Sequence, residues 1–324
     1  MHSVHPGELA ELFSVGAGDP AAALDGAPLV VVDAAIGGPP IGWGPGSVPV
    51  VVIGVVDGDP ATIDASPYDV LLGADDPMLD AVIANVRAFP IAAAALAILL
   101  RQTELRPVED GLAAESAVYS TLQSGPEFTA WRRARGDGVL PPDEEPPVLT
   151  DRVGDELRIV LNRPRRHNAV TAALRDGLAE ALTLAVVDDT ITAVRLSGNG
   201  PSFCSGGDLG EFGSFPDPAT AHITRLTRSP ARLAHLLADR ISVHLHGACM
   251  GAGIEVPAFA AHVVAAADAR IGLPELGLGL VPGAGGTVSI PRRIGRHRAA
   301  ALALSGAVID GVAALAWGLV DEVV

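Results

Sequence analysis

The feature that most constrains the fold is an alternation that begins at residue 157. LRIVLN (157–162), TAVRLSG (192–198), RISVHLHG (240–247) and AHVVAAAD (261–268) are apolar runs of strand length rich in β-branched residues. The first two flank a helical pattern from Thr171 to Val187. Strands alternating with helices predict an α/β layered fold with several near-parallel strands. Gly-rich loops follow the second and third strands, SGNGPSFCSGGD and HGACMGAGIE. Loops at the C-terminal ends of such strands are where ligands bind in α/β folds. Neither loop reads G-x-x-x-x-G-K-S/T or G-x-G-x-x-G, so triphosphate and dinucleotide readings fail on their motifs.

Upstream, LVVVDA (29–34), PVVVIGVV (49–56) and DVLLGA (69–74) also have strand character. Helical patterns follow from Pro77 through Arg101, over AAESAVYSTLQ (113–123) and over EFTAWRRAR (127–135). The stretch GDGVLPPDEEPPVLTDRVGD between Arg135 and Asp155 is rich in proline and acidic punctuation and reads as a linker. These features divide the chain into an N-terminal α/β extension of unassigned role (1–140), a Pro/acidic linker (141–155) and a second unit (156–324). The extension carries no His/Asp/Glu cluster at a spacing that suggests catalysis, and Asp33, Asp57 and Asp59 read as turn residues.

Of the 324 residues, 49% are hydrophobic and the net charge is −16. An acidic chain of this kind is a poor non-specific ligand for nucleic acid or for anionic membrane surfaces. All 22 basic residues are arginine, which excludes Schiff-base chemistry on a lysine. Two cysteines, Cys204 and Cys249, cannot build a disulfide framework or a thiolate zinc site, and they read as buried structural thiols. His244 and His246 share a strand face with no third ligand in view, so no metal site is expected. The start, MHSVHPGELAELF, is too polar for a signal peptide, and FPIAAAALAILL (89–100) is too short to span a bilayer. A soluble, cytoplasmic protein is the expectation.

One residue breaks the local pattern. Glu255 follows two glycines and an alanine and precedes the apolar VPAFAAHVVAAA. A carboxylate entering a buried helix costs several kcal/mol unless it is paired or put to use. The two Gly-rich loops share a physical form, small residues between a strand and a helix. Small residues let a ligand approach the backbone. Free N–H groups at a helix start favour negative charge, and one amide from each loop would make a socket for a developing oxyanion.

Taken together, LNRPRRHNAV (161–170), FCSGGDL (203–209), HGACMGAGIE (246–255), IGLPELGLGLVPGAGGT (271–287) and ALSGAVIDGVAALAWGLVDEVV (303–324) resemble the crotonase (enoyl-CoA hydratase/isomerase) superfamily. The resemblance covers roughly half the chain. It implies the crotonase-type ββα spiral fold, with the N-terminal α/β region as an addition, assembling as a homo-trimer or dimer of trimers. It also implies an acyl-CoA thioester substrate with no metal or redox cofactor, coenzyme A being part of the substrate. The backbone N–H groups of Ser205 and Ala252 would form the oxyanion hole, replacing the family's usual alanine and glycine. Glu255 and Glu275 fall on the two acidic positions of the hydratases, where one activates water and the other protonates the α-carbon of a 2-enoyl-CoA.

Arg163, Arg165, Arg166 and His167 would border coenzyme A, and Ser205, Gly206, Gly207, Asp208 and Leu209 the substrate, with Asp208 ordering its loop. The GAGG turn (283–286) and the segment after Glu211 would line the acyl end. Hydration of a 2-enoyl-CoA to a 3-hydroxyacyl-CoA is the activity implied. The alternatives are a cofactor-independent arylacetyl-CoA dioxygenase, an isomerase or thioester hydrolase, and a non-catalytic scaffold. Relatives continue past GLVDEVV into helices that cover the site, so the helices between Pro77 and Arg135 are expected to take that place.

Overall fold

The computed structural model describes residues 3–4, 27–34, 46, 48–136, 145–214 and 217–324. Three strands of its first sheet are the β-branched runs expected as strands, and the short strand Ser3–Val4 is an addition to them. β1 (Ser3–Val4), β2 (Leu29–Asp33), β3 (Val51–Val56) and β4 (Val70–Gly73) lie side by side in that order, every pairing parallel. β2 and β3 are buried along nearly their whole length, as strands of a sheet covered on both faces must be.

The helical stretch expected from Pro77 through Arg101 is two helices, α1 (Leu79–Ala88) and α2 (Pro90–Arg101), bent by 116° at the break. Proline has no N–H to continue α1, and its fixed φ suits the first position of α2. α3 (Val108–Gln123) and α4 (Pro126–Arg135) follow. No single helix among the described residues is long and apolar enough to cross a membrane.

Residues 148–153, expected within the linker, form a strand instead. β5 (Val148–Val153) pairs antiparallel with β6 (Glu156–Leu161) and occupies the edge of a six-stranded sheet. The linker residues 141–144 lie outside the described residues. After β6 come α5 (Ala172–Val187), capped by the Thr171 hydroxyl accepting from the Leu174 N–H, and β7 (Ala193–Gly198). Then come α6 (Pro218–Thr227), α7 (Pro230–Leu236), β8 (Ile241–Leu245), β9 (Ala248–Met250) and α8 (Ala252–Glu255). The chain continues through β10 (His262–Ala265), β11 (Arg270–Gly272), α9 (Gly286–Ile294), α10 (Arg296–Ser305), β12 (Val308–Ile309), α11 (Gly311–Trp317) and β13 (Glu322–Val323).

The large sheet has the order β13-β10-β8-β7-β6-β5, and β12-β11-β9 form a second, three-stranded sheet. β9 and β11 are parallel in register Ala248↔Arg270 to Met250↔Gly272, so the chain spirals from one sheet to the other.

Packing does not divide at the proline-rich stretch. Val82, Val86, Leu96 and Leu100 from α1 and α2 belong to the same buried cluster as Ile290, Leu302 and Leu304 from α9 and α10. Each such side chain contributes about 1.5–3 kcal/mol by leaving water. Polar contacts cross the same seam. The Asn85 amide donates to the carbonyls of Leu304 and Ser305, and Arg296 donates to those of Tyr68 and Ser66 at 2.8 and 2.6 Å. Within the N-terminal part, the buried pair Arg101–Asp69 (2.7 Å) ties α2 to the parallel sheet, Arg101 also donating to Val48 O and Val50 O.

Candidate active site

Two loops meet beneath α9. The Cys204 N–H donates to Ala248 O, and the Met250 N–H donates back to Cys204 O, both at 3.0 Å, so the loop after β7 is stitched to β9. The approach is tight enough to require small residues. A Cβ at position 253 would stand 2.2 Å from Cys204 O. Gly251, at φ +51°, turns the chain so that Ala252 opens α8. Burial pushes the Cys204 thiol up to about 12, which leaves it a packing group and no nucleophile.

The amide expected at Ser205 is not available. Its N–H donates to His167 O at 2.9 Å, and the residue does not line the cavity. The free amide of this loop lies two residues on. Among the described residues, the N–H groups of Gly207 and Ala252 have no acceptor within the protein, and both residues line a cavity of about 420 Å³. Ala252 is the first residue of α8, where a helix leaves its N–H groups unpaired.

The two glutamates converge on that cavity from different elements. Glu255 ends α8 and Glu275 opens the turn after β11, at 1% and 9% exposure. They face one another across Gly251. A Cβ at that position would lie 2.2 Å from Glu275 Oε1 and 3.6 Å from Glu255 Oε1. Their hydrogen bonding differs sharply. Glu255 Oε2 accepts the N–H groups of Ala284 (2.7 Å) and Gly286 (2.9 Å), whereas Glu275 Oε2 is buried with no partner. Burial raises both carboxyls, Glu275 to about 8, and their mutual repulsion raises Glu255 further. The two amides oppose that rise at Glu255, because an N–H donor favours the ionised acceptor. Donors that favour an ionised oxygen thus reach Glu255, and none reaches Glu275 Oε2.

A third buried glutamate comes from the N-terminal part, where no catalytic cluster was expected. Glu115 of α3, 2% exposed, accepts the Gly285 N–H at 2.7 Å on one oxygen. Its other oxygen accepts the N–H and hydroxyl of Thr287 at 2.9 and 2.7 Å. The GAGG turn and the start of α9 thus give alternate amides to two acids, Glu255 and Glu115. Tyr119, one turn beyond Glu115, packs its ring against Gly283 of the same turn. The signal was in the sequence: Leu112, Glu115, Tyr119 and Leu122 share one buried helix face, and an acid in an apolar stripe is the anomaly that singled out Glu255.

The remaining candidates divide. Arg163 is buried and pairs with Asp208 at 3.1 Å while donating to Ala169 O, so it braces the loop after β7 instead of bordering a ligand. Asp208 also accepts the Gly210 N–H at 3.2 Å, the loop-ordering part expected of it. Arg165, Arg166 and His167 are exposed on the turn after β6 and do not line the cavity. Gly206 is buried and Leu209 half-buried, and neither lines the cavity. No group of three metal-ligating side chains occurs among the described residues.

A family model described as enoyl-CoA hydratase/isomerase matches residues 157–324. The chain is 37% identical over 178 residues to the 2,3-dehydroadipyl-CoA hydratase of Escherichia coli (strain K12), covering 54% of this chain and 68% of that protein. It is 34% identical over 173 residues to the 1,2-epoxyphenylacetyl-CoA isomerase of the same organism, covering 52% and 66%. The crystal structure of enoyl-CoA hydratase from Thermoplasma volcanium GSS1 superposes with a TM-score of 0.51 at 37% identity, over 56% of this chain and 73% of that one. The chain thus spans about two thirds of the length of the curated relatives it matches.

Proposed function

This chain belongs to the enoyl-CoA hydratase/isomerase family, and from that premise we propose that it adds water across the C2–C3 double bond of a 2-enoyl-CoA thioester. The observation that carries the reading is the unlike pair on one cavity wall, Glu255 held by two amides and Glu275 with an unpartnered buried oxygen. Hydration needs one base and one acid at once, and an isomerase moving a single proton does not.

In the reaction, Glu255 takes a proton from water as the water oxygen bonds to C3. The C2–C3 π electrons move onto the thioester, whose oxygen becomes an enolate held by the N–H groups of Gly207 and Ala252. Glu275 then delivers its proton to C2 and the thioester carbonyl re-forms. The proton gained by Glu255 returns to Glu275 before the next turnover, so no net proton is consumed. Each oxyanion donor contributes on the order of 3 kcal/mol. The step uses no metal or redox cofactor, coenzyme A arriving as part of the substrate. Assembly as a trimer or dimer of trimers is part of the same reading and is measurable by light scattering.

The test is loss of the conjugated thioester's ultraviolet band with the full chain and a panel of 2-enoyl-CoA thioesters. Glu255→Gln and Glu275→Gln are each expected to fall roughly 10²–10⁴-fold in rate while still binding the thioester. A wild-type protein that binds CoA thioesters and hydrates none would sink the proposal.

A further inference from the structure

Four arginines line the cavity: Arg175, Arg225, Arg228 and Arg232. Three have an ion-pair partner within the protein, two of them sharing one. Arg175 pairs with Asp176 at 2.7 Å, Arg228 with the same carboxylate, and Arg232 with Glu109 at 2.9 Å. Arg225 of α6 is the exception, for no carboxylate among the described residues lies within ion-pair reach of it. Its guanidinium donates to neutral acceptors only, Ser116 Oγ at 3.1 Å, Ser116 O at 3.4 Å and Ser120 Oγ, and it stacks 4.7 Å over the Tyr119 ring. Glu115 acts on the guanidinium only at a distance and makes no ion pair with it, its oxygens accepting from Gly285 and Thr287.

We propose that Arg225 receives a carboxylate at the far end of the substrate's acyl chain, so that the substrate is the mono-CoA thioester of a dicarboxylic acid. The proposal rests on the acyl-CoA reading above and narrows it. Ser116 and Ser120 are both buried, and Ser116 lines the cavity with Arg225, so the guanidinium is held against the interior at the cavity wall. Burial works against its charge, and a half-buried cation with neutral partners alone is an arrangement that an incoming anion completes. A guanidinium presents a fork that matches a carboxylate in two hydrogen bonds. The route from the reaction centre is short. Tyr119 touches Gly283, whose neighbour Ala284 holds Glu255, and Arg225 covers the same ring. Leu174, Leu178 and Ala221 line the cavity as well and suit the methylenes between the two ends of the chain.

The experiment is calorimetric binding to the full chain of butanedioyl-, hexanedioyl- and octanedioyl-CoA, each beside its monoacyl counterpart, with free coenzyme A as a further ligand. Wild type is expected to bind the best-fitting dioyl thioester on the order of a hundredfold more tightly than its counterpart. Arg225→Met should erase that preference and leave monoacyl and free-CoA affinities unchanged. Equal affinity for both series in wild type overturns the proposal, whatever the variant does. So does a variant that weakens free coenzyme A, for then the guanidinium reads phosphate.

Turnover separates the two readings. A dioyl preference without hydration of hex-2-enedioyl-CoA leaves Arg225 as assigned and removes the hydratase. Hydration of hex-2-enoyl-CoA with no dioyl preference does the reverse.

Discussion

A buried carboxyl takes its role from the donors within its reach. Glu255 and Glu275 are both desolvated, and both are raised by that desolvation. What separates them is that the Ala284 and Gly286 amides reach one and nothing reaches Oε2 of the other. The consequence is a pH dependence. Glu275 keeps its proton in the fold up to about 8, whereas an unfolded glutamate loses it near 4.5. Its contribution to stability is complete below the lower value and is lost as pH rises through the upper one. The melting temperature should therefore fall between pH 5 and 8.5 more steeply in wild type than in Glu275→Gln, as scanning calorimetry at several pH values would register. Hydration should also fall off above about pH 8, as the acid ionises. Gly251 is equally exposed to test. Alanine there would need φ +51° and would drive its methyl into Glu275. Hydration by Gly251→Ala should drop by at least about 10²-fold, and an unchanged rate would show that the carboxylates do not face one another as described. The free amide on the cavity lies two residues past the one expected, because motif spacing cannot say which N–H already has an acceptor. That depended on His167 O, 38 positions earlier in the chain.

The GAGG turn and α9 act as one element. Their successive amides at 284, 285, 286 and 287 alternate between Glu255 and Glu115. One acid belongs to the proposed chemistry, and the other holds the element in place. Glu115→Ala would leave the Gly285 and Thr287 N–H groups buried without acceptors and open a void, at about 2–4 kcal/mol. Urea denaturation should read that loss, and the hydration rate should fall with it because the same turn positions Glu255. A Glu115→Ala protein of wild-type stability would show that the turn is held by something else. The period of α3 was legible in the sequence as a helix over 113–123. Its start at Val108 and the partner of its acidic face were not. The break between α1 and α2 was legible in principle from Pro90, since a proline inside a helical pattern ends the helix before it.

At the scale of the molecule, the two halves share one core. α1 and α2 pack on α10, and α3 reaches over the cavity to hold α9. Residues 151–324 produced alone should therefore be expanded or aggregated, having exposed Ile290, Ile294, Leu302 and Leu304. Near-ultraviolet circular dichroism and gel filtration would show it, and a folded, active fragment would refute the shared core. The sequence by itself determined the strand runs, the α/β class, the family half of the chain and the two acids on the cavity, because each is a local pattern. Alternation, a motif in order, and an acid among apolar residues can all be read within a dozen positions. Only the tertiary structure decided that Glu115 and Tyr119 join the site, that Arg163 braces a loop, that the free amide is Gly207, and that Arg225 lacks a counter-ion. Each of those is a fact about partners far apart in the chain. A hydrogen bond or an unpaired charge exists only once folding has brought both sides together.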